Sequence, residues 1–180
     1  MRNLVPPQLV PLDLQQFAEE NVKKALSIGA SKLNINIPFE GVKFFKKSRT
    51  AGYVMPMQSS VVYLNLELVK QNRHHFENDT IPHEVAHLFA RKFQIHNNLG
   101  IEGAHGRTWK MVMKRVYGLQ PIRCHSLDTD GIGKKVKKYK YICSCTKYSL
   151  GQVRHNKIQK GIKYTCRKCK KHLIFLSKCD

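Results

Sequence analysis

The stretch TIPHEVAHLFARKF, residues 80–93, decides how this 180-residue chain is organised. Thr80 as a cap and Pro82 in the first turn predict that a helix begins here. One face of that helix is apolar and carries Ile81, Val85, Leu88 and Phe89. His83 and His87 lie one turn apart, so both imidazoles leave a common face on the other side from the apolar stripe.

Two imidazoles on one helix face can share a metal ion, and Glu84 beside them has the chemistry of a general base. In peptide hydrolysis a zinc ion polarises the carbonyl and acidifies a water, while a glutamate passes the water's proton to the leaving amine. The alternative is a helix that merely carries two histidines at its polar edge. With 9 His in the chain, a random H-E-x-x-H is expected roughly 0.02 times, which favours a catalytic metal site.

A catalytic zinc site of this kind needs a third protein ligand. The metzincin pattern would require His at position 93 and Gly at position 90, and the chain has Phe93 and Ala90 instead. Three candidates remain, namely His96, Glu102 and His105. His96 lies just past the predicted helix end, and Glu102 would suit a thermolysin-like site. We favour His105, because the glycines at positions 103 and 106 give the backbone freedom to bring it close.

The rest of the N-terminal part predicts an α+β fold around this helix. A capping box at Asp13 begins a predicted helix that runs to Gly29. Residues 35–68 are β-rich and predict a small, largely antiparallel sheet. Within them the stretch SVVYLNLEL (60–68) predicts a strand that pairs with an extended substrate. A second helix is predicted from Thr108, so that the sheet packs on a pair of helices.

The net charge of +20 is concentrated at the C-terminal end. Residues 1–78 carry 10 basic and 6 acidic side chains, and residues 79–120 carry 6 basic and 3 acidic ones. Residues 121–180 carry 16 basic and only 3 acidic side chains. This bias predicts an anionic partner, of which DNA is the first candidate. The residues expected to contact nucleic acid are Lys134, Lys135, Lys137, Lys138, Arg154 and Lys157. A membrane surface fits less well, because no amphipathic helix accompanies the lysine run.

All six cysteines lie after residue 120, and no secretion signal is recognisable, so we expect metal binding rather than disulfides. Four of them form two close pairs with 20 residues between them, Cys143 with Cys145 and Cys166 with Cys169. The pairs predict a zinc ribbon whose metal supplies folding energy, with strands at QVRHNKI (152–158) and HLIFL (172–176). Four unligated thiols are the alternative. Cys124 and Cys179 are left over as ordinary thiols.

Four tyrosines are interleaved with the basic residues of this region: Tyr139, Tyr141, Tyr148 and Tyr164. Exposed tyrosines of this kind would stack on unpaired bases. The alternative is that they pack the core of the ribbon, and for Tyr141 and Tyr164 we prefer that interpretation.

PHEVAH (82–87) followed by HGRTW (105–109) resembles the SprT-like (Spartan) family of zinc metalloproteases. The likeness to bacterial members with a C-terminal zinc ribbon continues through RCH (123–125), YICSC (141–145), VRHN (153–156) and YTCRKC (164–169). The resemblance implies that His83, His87 and His105 bind the catalytic zinc and that Glu84 is the general base. It also implies cleavage of proteins that are bound or crosslinked to DNA.

These observations together predict a zinc metalloendopeptidase that acts on proteins at DNA and holds two Zn²⁺ ions, one catalytic and one structural. We expect a protease domain at 1–120, a basic linker at 121–140 and a nucleic-acid-binding zinc ribbon at 141–180. The alternative is a DNA- or RNA-binding zinc protein with a catalytically idle site, against which the intact Glu84 argues. We further expect a cytoplasmic, nucleoid-associated monomer, because no apolar run is long enough to span a membrane.

Overall fold

The computed structural model describes residues 3–132 and 137–178. The chain divides into two compact units, residues 1–133 and residues 134–180, called unit 1 and unit 2 below. Both contain helices and strands, which confirms the predicted α+β class. In the two described ranges, no helix is long and apolar enough to cross a lipid bilayer.

Unit 1 contains a four-stranded sheet and a set of helices. The strands are β1 (Asn3–Leu4), β2 (Val42–Lys46), β3 (Gly52–Val54) and β4 (Val62–Asn65). The helices are α1 (Leu12–Leu33), α2 (Leu66–Gln71), α3 (Arg73–His75), α4 (Ile81–His96) and α5 (Arg107–Met111). Shorter helical pieces are a 3-10 turn at Pro7–Leu9 and π-helical segments at Phe76–Thr80 and Val112–Val116.

The sheet has the order β1-β2-β4-β3 and is mixed rather than simply antiparallel. Its outer pairs β1–β2 and β3–β4 are antiparallel, whereas the central pair β2–β4 is parallel. The parallel pair arises because β3 lies at the outer edge and β4 then inserts between β2 and β3. The expectation that the strand at 60–68 pairs with substrate is therefore wrong, since β4 has a neighbour on both sides. The edge strands of the described sheet are β1 and β3.

Asn65 ends β4 three residues earlier than the sequence pattern predicts. Its buried side chain accepts hydrogen bonds from the backbone N–H groups of Glu67 and Leu68, which caps α2. Its amide nitrogen donates to the carbonyls of Ser48 and Thr50. Because one side chain caps the helix and anchors the preceding loop, the chain turns directly from strand into helix.

Helix α1 does not end at Gly29, as the apolar spacing predicts, but continues to Leu33. A methyl group on Gly29 would lie 2.1 Å from Cε2 of Phe89, so this glycine is required for the close approach of α1 and α4. The predicted capping box is also absent, since α1 begins at Leu12 after Pro11, and Asp13 pairs instead with Arg73.

Thr80 does not cap α4, because it lies inside a helical run that begins at Arg73. Pro82 has no N–H to donate, and the preceding turn widens into π-helical geometry, in which the Ile81 N–H donates to the Phe76 carbonyl. The apolar stripe is buried as predicted, with Ile81, Val85 and Phe89 all at 0% exposure. The opposite face of α4 is left to carry the histidines.

Unit 2 is a three-stranded antiparallel sheet with one helix. Its elements are β5 (Lys138–Ile142), β6 (Lys147–Gly151), α6 (Gln152–Gln159) and β7 (Ile174–Lys178), and the strand order is β6-β5-β7. The predicted strand at 152–158 is wrong, because these residues form α6. They are mostly Gln, Arg, Lys and Asn without the alternation of a strand, and Gly151 precedes them at the cap position. The strand predicted at 172–176 overlaps β7.

Two of the four interleaved tyrosines form the core of unit 2. Tyr139 is 8% exposed and stacks on His155 with ring centroids 3.6 Å apart. Tyr141 is fully buried, and its hydroxyl lies 2.9 Å from Nδ1 of the same histidine. Neither ring is free to stack on a base, so the core-packing interpretation holds for Tyr141 and extends to Tyr139. Tyr148 and Tyr164 are half-buried.

Candidate metal centres and catalytic cleft

The three imidazoles singled out in the sequence meet at one point of unit 1. His83 and His87 come from α4, and His105 comes from the loop that precedes α5. Their ligand nitrogens all lie within 4.8 Å of one another, and Nε2 of His105 is 3.2 Å from Nε2 of His83. Tetrahedral Zn–N bonds of about 2.0–2.1 Å place two ligand nitrogens about 3.3 Å apart. The donor set and its spacing therefore fit a zinc ion.

The indole ring of Trp109 packs against all three imidazoles. Its ring centroid lies 4.8 Å from that of His83, 5.4 Å from that of His87 and 4.5 Å from that of His105. Its indole Nε1–H points to the carbonyl of His83 at 3.4 Å, and the residue is 1% exposed. Trp109 therefore packs on all three imidazoles of the group.

Burial keeps the imidazoles neutral, which is the form that binds metal. Loss of hydration, reinforced by neighbouring His105 and His125, lowers the pKa of His83 to about 4. Loss of hydration also lowers the pKa of His87 to about 3, against a hydrogen bond to the Ala104 carbonyl that acts in the other direction. The pKa of His105 is lowered by burial and by the charge of Arg123. All three nitrogen donors are thus available near neutral pH.

Glu84 lies beside the imidazoles and is 7% exposed. The edge strand β3 passes directly over it. A methyl group on Gly52 would lie 3.0 Å from Cγ of Glu84 and 3.2 Å from the Tyr63 carbonyl oxygen, which is closer than an ordinary contact, so the glycine favours this near approach of β3. A strand at the edge of a sheet, beside the candidate base and metal ligands, is suited to hold an extended peptide.

Glu102 is not grouped with the candidate ligands. Its Oε2 accepts a hydrogen bond from the Thr108 N–H at 2.8 Å, and its Oε1 lies 3.6 Å from Arg107 Nε. The Thr108 hydrogen bond is the main reason that the pKa of this carboxyl is lowered. Glu102 therefore fixes the start of α5, just after His105. His96, at the last position of α4, is also outside the ligand group.

A cleft with a volume of about 820 Å³ is lined by His83, Glu84, His87, Glu102 and His105. One wall is the face of α4, and β3 and the loop that holds His105 contribute further lining. Another part of the wall comes from residues 122–127, in the segment predicted to be linker. His125 in this segment donates from Nε2 to the Arg49 carbonyl at 3.0 Å, which ties the segment to the chain just before β3.

The four paired cysteines of unit 2 also converge, with all sulfur atoms within 4.8 Å of one another. Sγ of Cys145 lies 3.5 Å from Sγ of Cys143 and 3.6 Å from Sγ of Cys166. Four Zn–S bonds of about 2.3 Å in a tetrahedron place the sulfurs about 3.8 Å apart. The cluster is therefore compatible with a closed zinc site. Cys124 is exposed and outside it, and Cys179 lies outside the described residues.

The thiols of this cluster differ in acidity. The Tyr148 hydroxyl donates to Cys166 Sγ at 3.0 Å, and with the backbone N–H groups of Cys169 and Lys168 it lowers the pKa of that thiol to about 5. Hydrogen bonds of the Cys145 thiol with the sulfurs of Cys143, Cys169 and Cys166, of which that with Cys143 is the strongest cause, raise its pKa to about 12. Only a cation among them allows four thiolates to coexist at such distances.

The residues predicted to bind nucleic acid belong to unit 2. Lys137, Lys138, Arg154 and Lys157 are exposed, whereas Lys134 and Lys135 lie outside the described residues. Residues 137–178 contain 13 Lys and Arg and neither Asp nor Glu. The described surface of unit 2 is therefore basic without an acidic side chain to offset it.

Comparison with known proteins gives consistent matches. The model of a family described as the SprT-like family matches residues 17–126. A Protein SprT from Pseudomonas paraeruginosa is 34% identical over 142 residues, which cover 77% of this chain and 81% of that protein. A Protein SprT from Yersinia enterocolitica is 28% identical over 170 residues, which cover 94% of this chain and 95% of that protein. No solved structure matches the chain.

Proposed function

The chain belongs to the SprT-like family, and from that premise we propose that unit 1 is a zinc-dependent endopeptidase. The observation that carries the proposal is the convergence of three neutral imidazoles, His83, His87 and His105, beside the carboxylate of Glu84 in one cleft. Three protein ligands leave a fourth metal position open, as catalytic zinc sites require.

In this proposal each residue has one task. His83, His87 and His105 hold the ion, which when bound supplies Lewis acidity to a water and to the peptide carbonyl. Glu84 takes a proton from the attacking water and delivers it to the nitrogen of the leaving amine. The edge of β3 aligns the substrate main chain over Glu84, and Trp109 keeps the three imidazoles in place.

Replacing Glu84 by Gln tests the proposal, because the amide keeps the size of the side chain but cannot carry the proton. We expect Glu84→Gln to retain zinc and the folded state while proteolysis falls by at least about a hundredfold. Glu20→Gln, an exposed position on α1, is the matched control and keeps full activity. Proteolysis by zinc-loaded Glu84→Gln at the wild-type rate would refute the mechanism.

We further propose that unit 2 brings the enzyme to proteins bound or crosslinked to DNA. The support is that residues 137–178 contain 13 Lys and Arg and no Asp or Glu. Arg154 and Lys157 lie exposed on α6. Lys138 is exposed at the first position of β5, and Lys137 is exposed just before it. Such surfaces bind the phosphate backbone through charge and lose affinity steeply as salt increases.

Titration of labelled DNA at several salt concentrations tests this second proposal. Each phosphate contact on duplex DNA contributes a slope of about −0.9 in log affinity against log salt. We expect Arg154→Ala with Lys157→Ala to lower the affinity and to flatten the slope, and replacement of Lys134, Lys135, Lys137 and Lys138 by Ala to do the same. If neither set of substitutions changes the affinity or the slope, the basic surface serves only to keep the protein hydrated.

The competing function is a nucleic-acid-binding zinc protein whose unit 1 is catalytically idle. It predicts DNA affinity without cleavage of any DNA-bound protein. A cleavage assay on a DNA-binding protein, with and without DNA and with chelator, separates the two functions. Cleavage that requires metal supports the endopeptidase, and its absence in fully zinc-loaded protein supports the idle site.

A further inference from the structure

Four buried polar atoms stand out in the two described ranges because no hydrogen-bond partner satisfies them. They are His75 Nε2, Thr80 Oγ1, Arg91 Nη1 and His125 Nδ1. All four residues line the cleft that contains the candidate metal ligands. A buried polar group without a partner is costly, so such groups are rare in a folded protein. Their concentration in one cleft indicates a surface built to receive a polar ligand.

Arg91 is the most informative of the four, because its guanidinium group is always charged. The ion pairs in the described residues join Lys24 to Glu77, Arg73 to Asp13 and Arg107 to Glu102, and none involves Arg91. A buried donor of this kind selects an anionic acceptor, and the planar fork matches a carboxylate in particular.

The position of Arg91 relates this charge to the candidate reaction centre. Arg91 follows His87 by four residues on α4, so the two side chains leave the same face of the helix about 6 Å apart along its axis. An extended peptide advances about 3.3 Å per residue. The guanidinium group therefore lies within reach of a substrate group about two residues from the bond placed at the metal ligands.

We propose that Arg91 is a specificity-determining residue that binds a substrate carboxylate, so that the cleft prefers polypeptides with Asp or Glu close to the cleaved bond. The inference rests on the proposed endopeptidase function and adds a substrate class to it. The same chemistry has two sources, an acidic side chain within a chain and the carboxylate at a chain end. The position of Arg91 inside an open cleft, which permits a chain to continue past it, favours the side chain.

Binding measurements on Glu84→Gln protein test the proposal without turnover. The probes are labelled peptides that differ only in carrying Glu, Gln or Lys at one position, each with an amidated C-terminus, and a Gln peptide with a free C-terminus. We expect the Glu peptide to bind about tenfold or more tightly than the amidated Gln peptide, as a charge-assisted hydrogen bond implies. Adding Arg91→Met to the same protein removes this preference.

Lys92→Met is the matched control, since it removes the same charge from the adjacent, exposed position of α4. It leaves the preference for the Glu peptide unchanged, whereas charge reversal by Arg91→Glu transfers the preference to the Lys peptide. Three results would each overturn the inference. They are a preference for the Glu peptide that survives in Arg91→Met, equal binding of the Glu and amidated Gln peptides to the Glu84→Gln protein, and a preference for the peptide with a free C-terminus. The proposed endopeptidase is judged separately, by metal-dependent cleavage in wild-type protein.

Discussion

Acidification of the metal-free protein should destabilise unit 1 by an amount that the two helix histidines set. The pKa values of His83 and His87 fall from 6.5 to about 4 and about 3 on folding, so the folded chain binds fewer protons than the unfolded chain below pH 6.5. Each such histidine then loses about 1.4 kcal/mol of folding free energy per pH unit. Two histidines lose about 4 kcal/mol between pH 7.5 and 5, and the loss levels off only below the folded pKa values.

Urea denaturation in the presence of a chelator measures this loss at each pH. The chain has one tryptophan, Trp109, which lies in unit 1, so its fluorescence follows unfolding of that unit without a signal from unit 2. Carboxylates elsewhere also titrate, and the double variant His83→Asn with His87→Asn corrects for them. The wild-type free energy of unfolding should fall by about 4 kcal/mol more than that of the variant between pH 7.5 and 5. Parallel pH profiles for the two proteins would refute the reasoning.

Three further predictions concern single positions. His105→Ala should lose the zinc of unit 1 in metal analysis. Glu102→Ala should retain this zinc and show only a lower melting temperature, because Glu102 caps α5 rather than facing the ligand group. The reverse result would identify a thermolysin-like site. Gly29→Ala should destabilise unit 1 by about 1–3 kcal/mol, because overpacking against Phe89 outweighs the gain in helix propensity. Gly100→Ala, with open space around it, should have little effect. Equal urea midpoints for the two variants would contradict this prediction. Cys166→Ser should abolish zinc binding by unit 2 and the folded NMR spectrum of unit 2, because the metal supplies the folding energy of so small a unit. Unit 1 should stay folded. An unchanged unit 2 spectrum in zinc-free protein would show that its tyrosine core is sufficient for folding.

The candidate centres were accessible from the sequence because their signals are local. The spacing of His83 and His87 on one helix, and the two cysteine pairs, each specify a shape that depends on few neighbours. His105 has a weaker signal, since it reaches the centre through a loop and only its flanking glycines indicate it. The structure gives Gly106 a different reason, because a methyl group there would lie 2.5 Å from Glu102 Oε2.

The predictions that the structure contradicts share a physical cause, because contacts between distant parts of the chain override the local sequence pattern. Gly29 resembles a helix end until Phe89 is known to occupy the space beside it, and Asn65 resembles a strand residue until its side chain is seen to cap α2. The insertion of β4 between β2 and β3 depends on pairing across the sheet, which periodicity along one strand cannot reveal. Arg91 carries no local signal at all, because only the assembled cleft shows that it has no ion pair among the described residues.

The absence of carboxylates from residues 137–178 has a consequence for how unit 2 is held together. Thirteen cations repel one another in the folded state, and no acidic side chain in that range relieves the repulsion. Four thiolates around one Zn²⁺ carry a net charge of −2, so a loaded cysteine cluster would be the sole concentration of negative side-chain charge within residues 137–178. The metal centre then acts as an internal counter-ion as well as a clamp, and a polyanion wrapped around the outside would complete the neutralisation that the chain does not provide for itself.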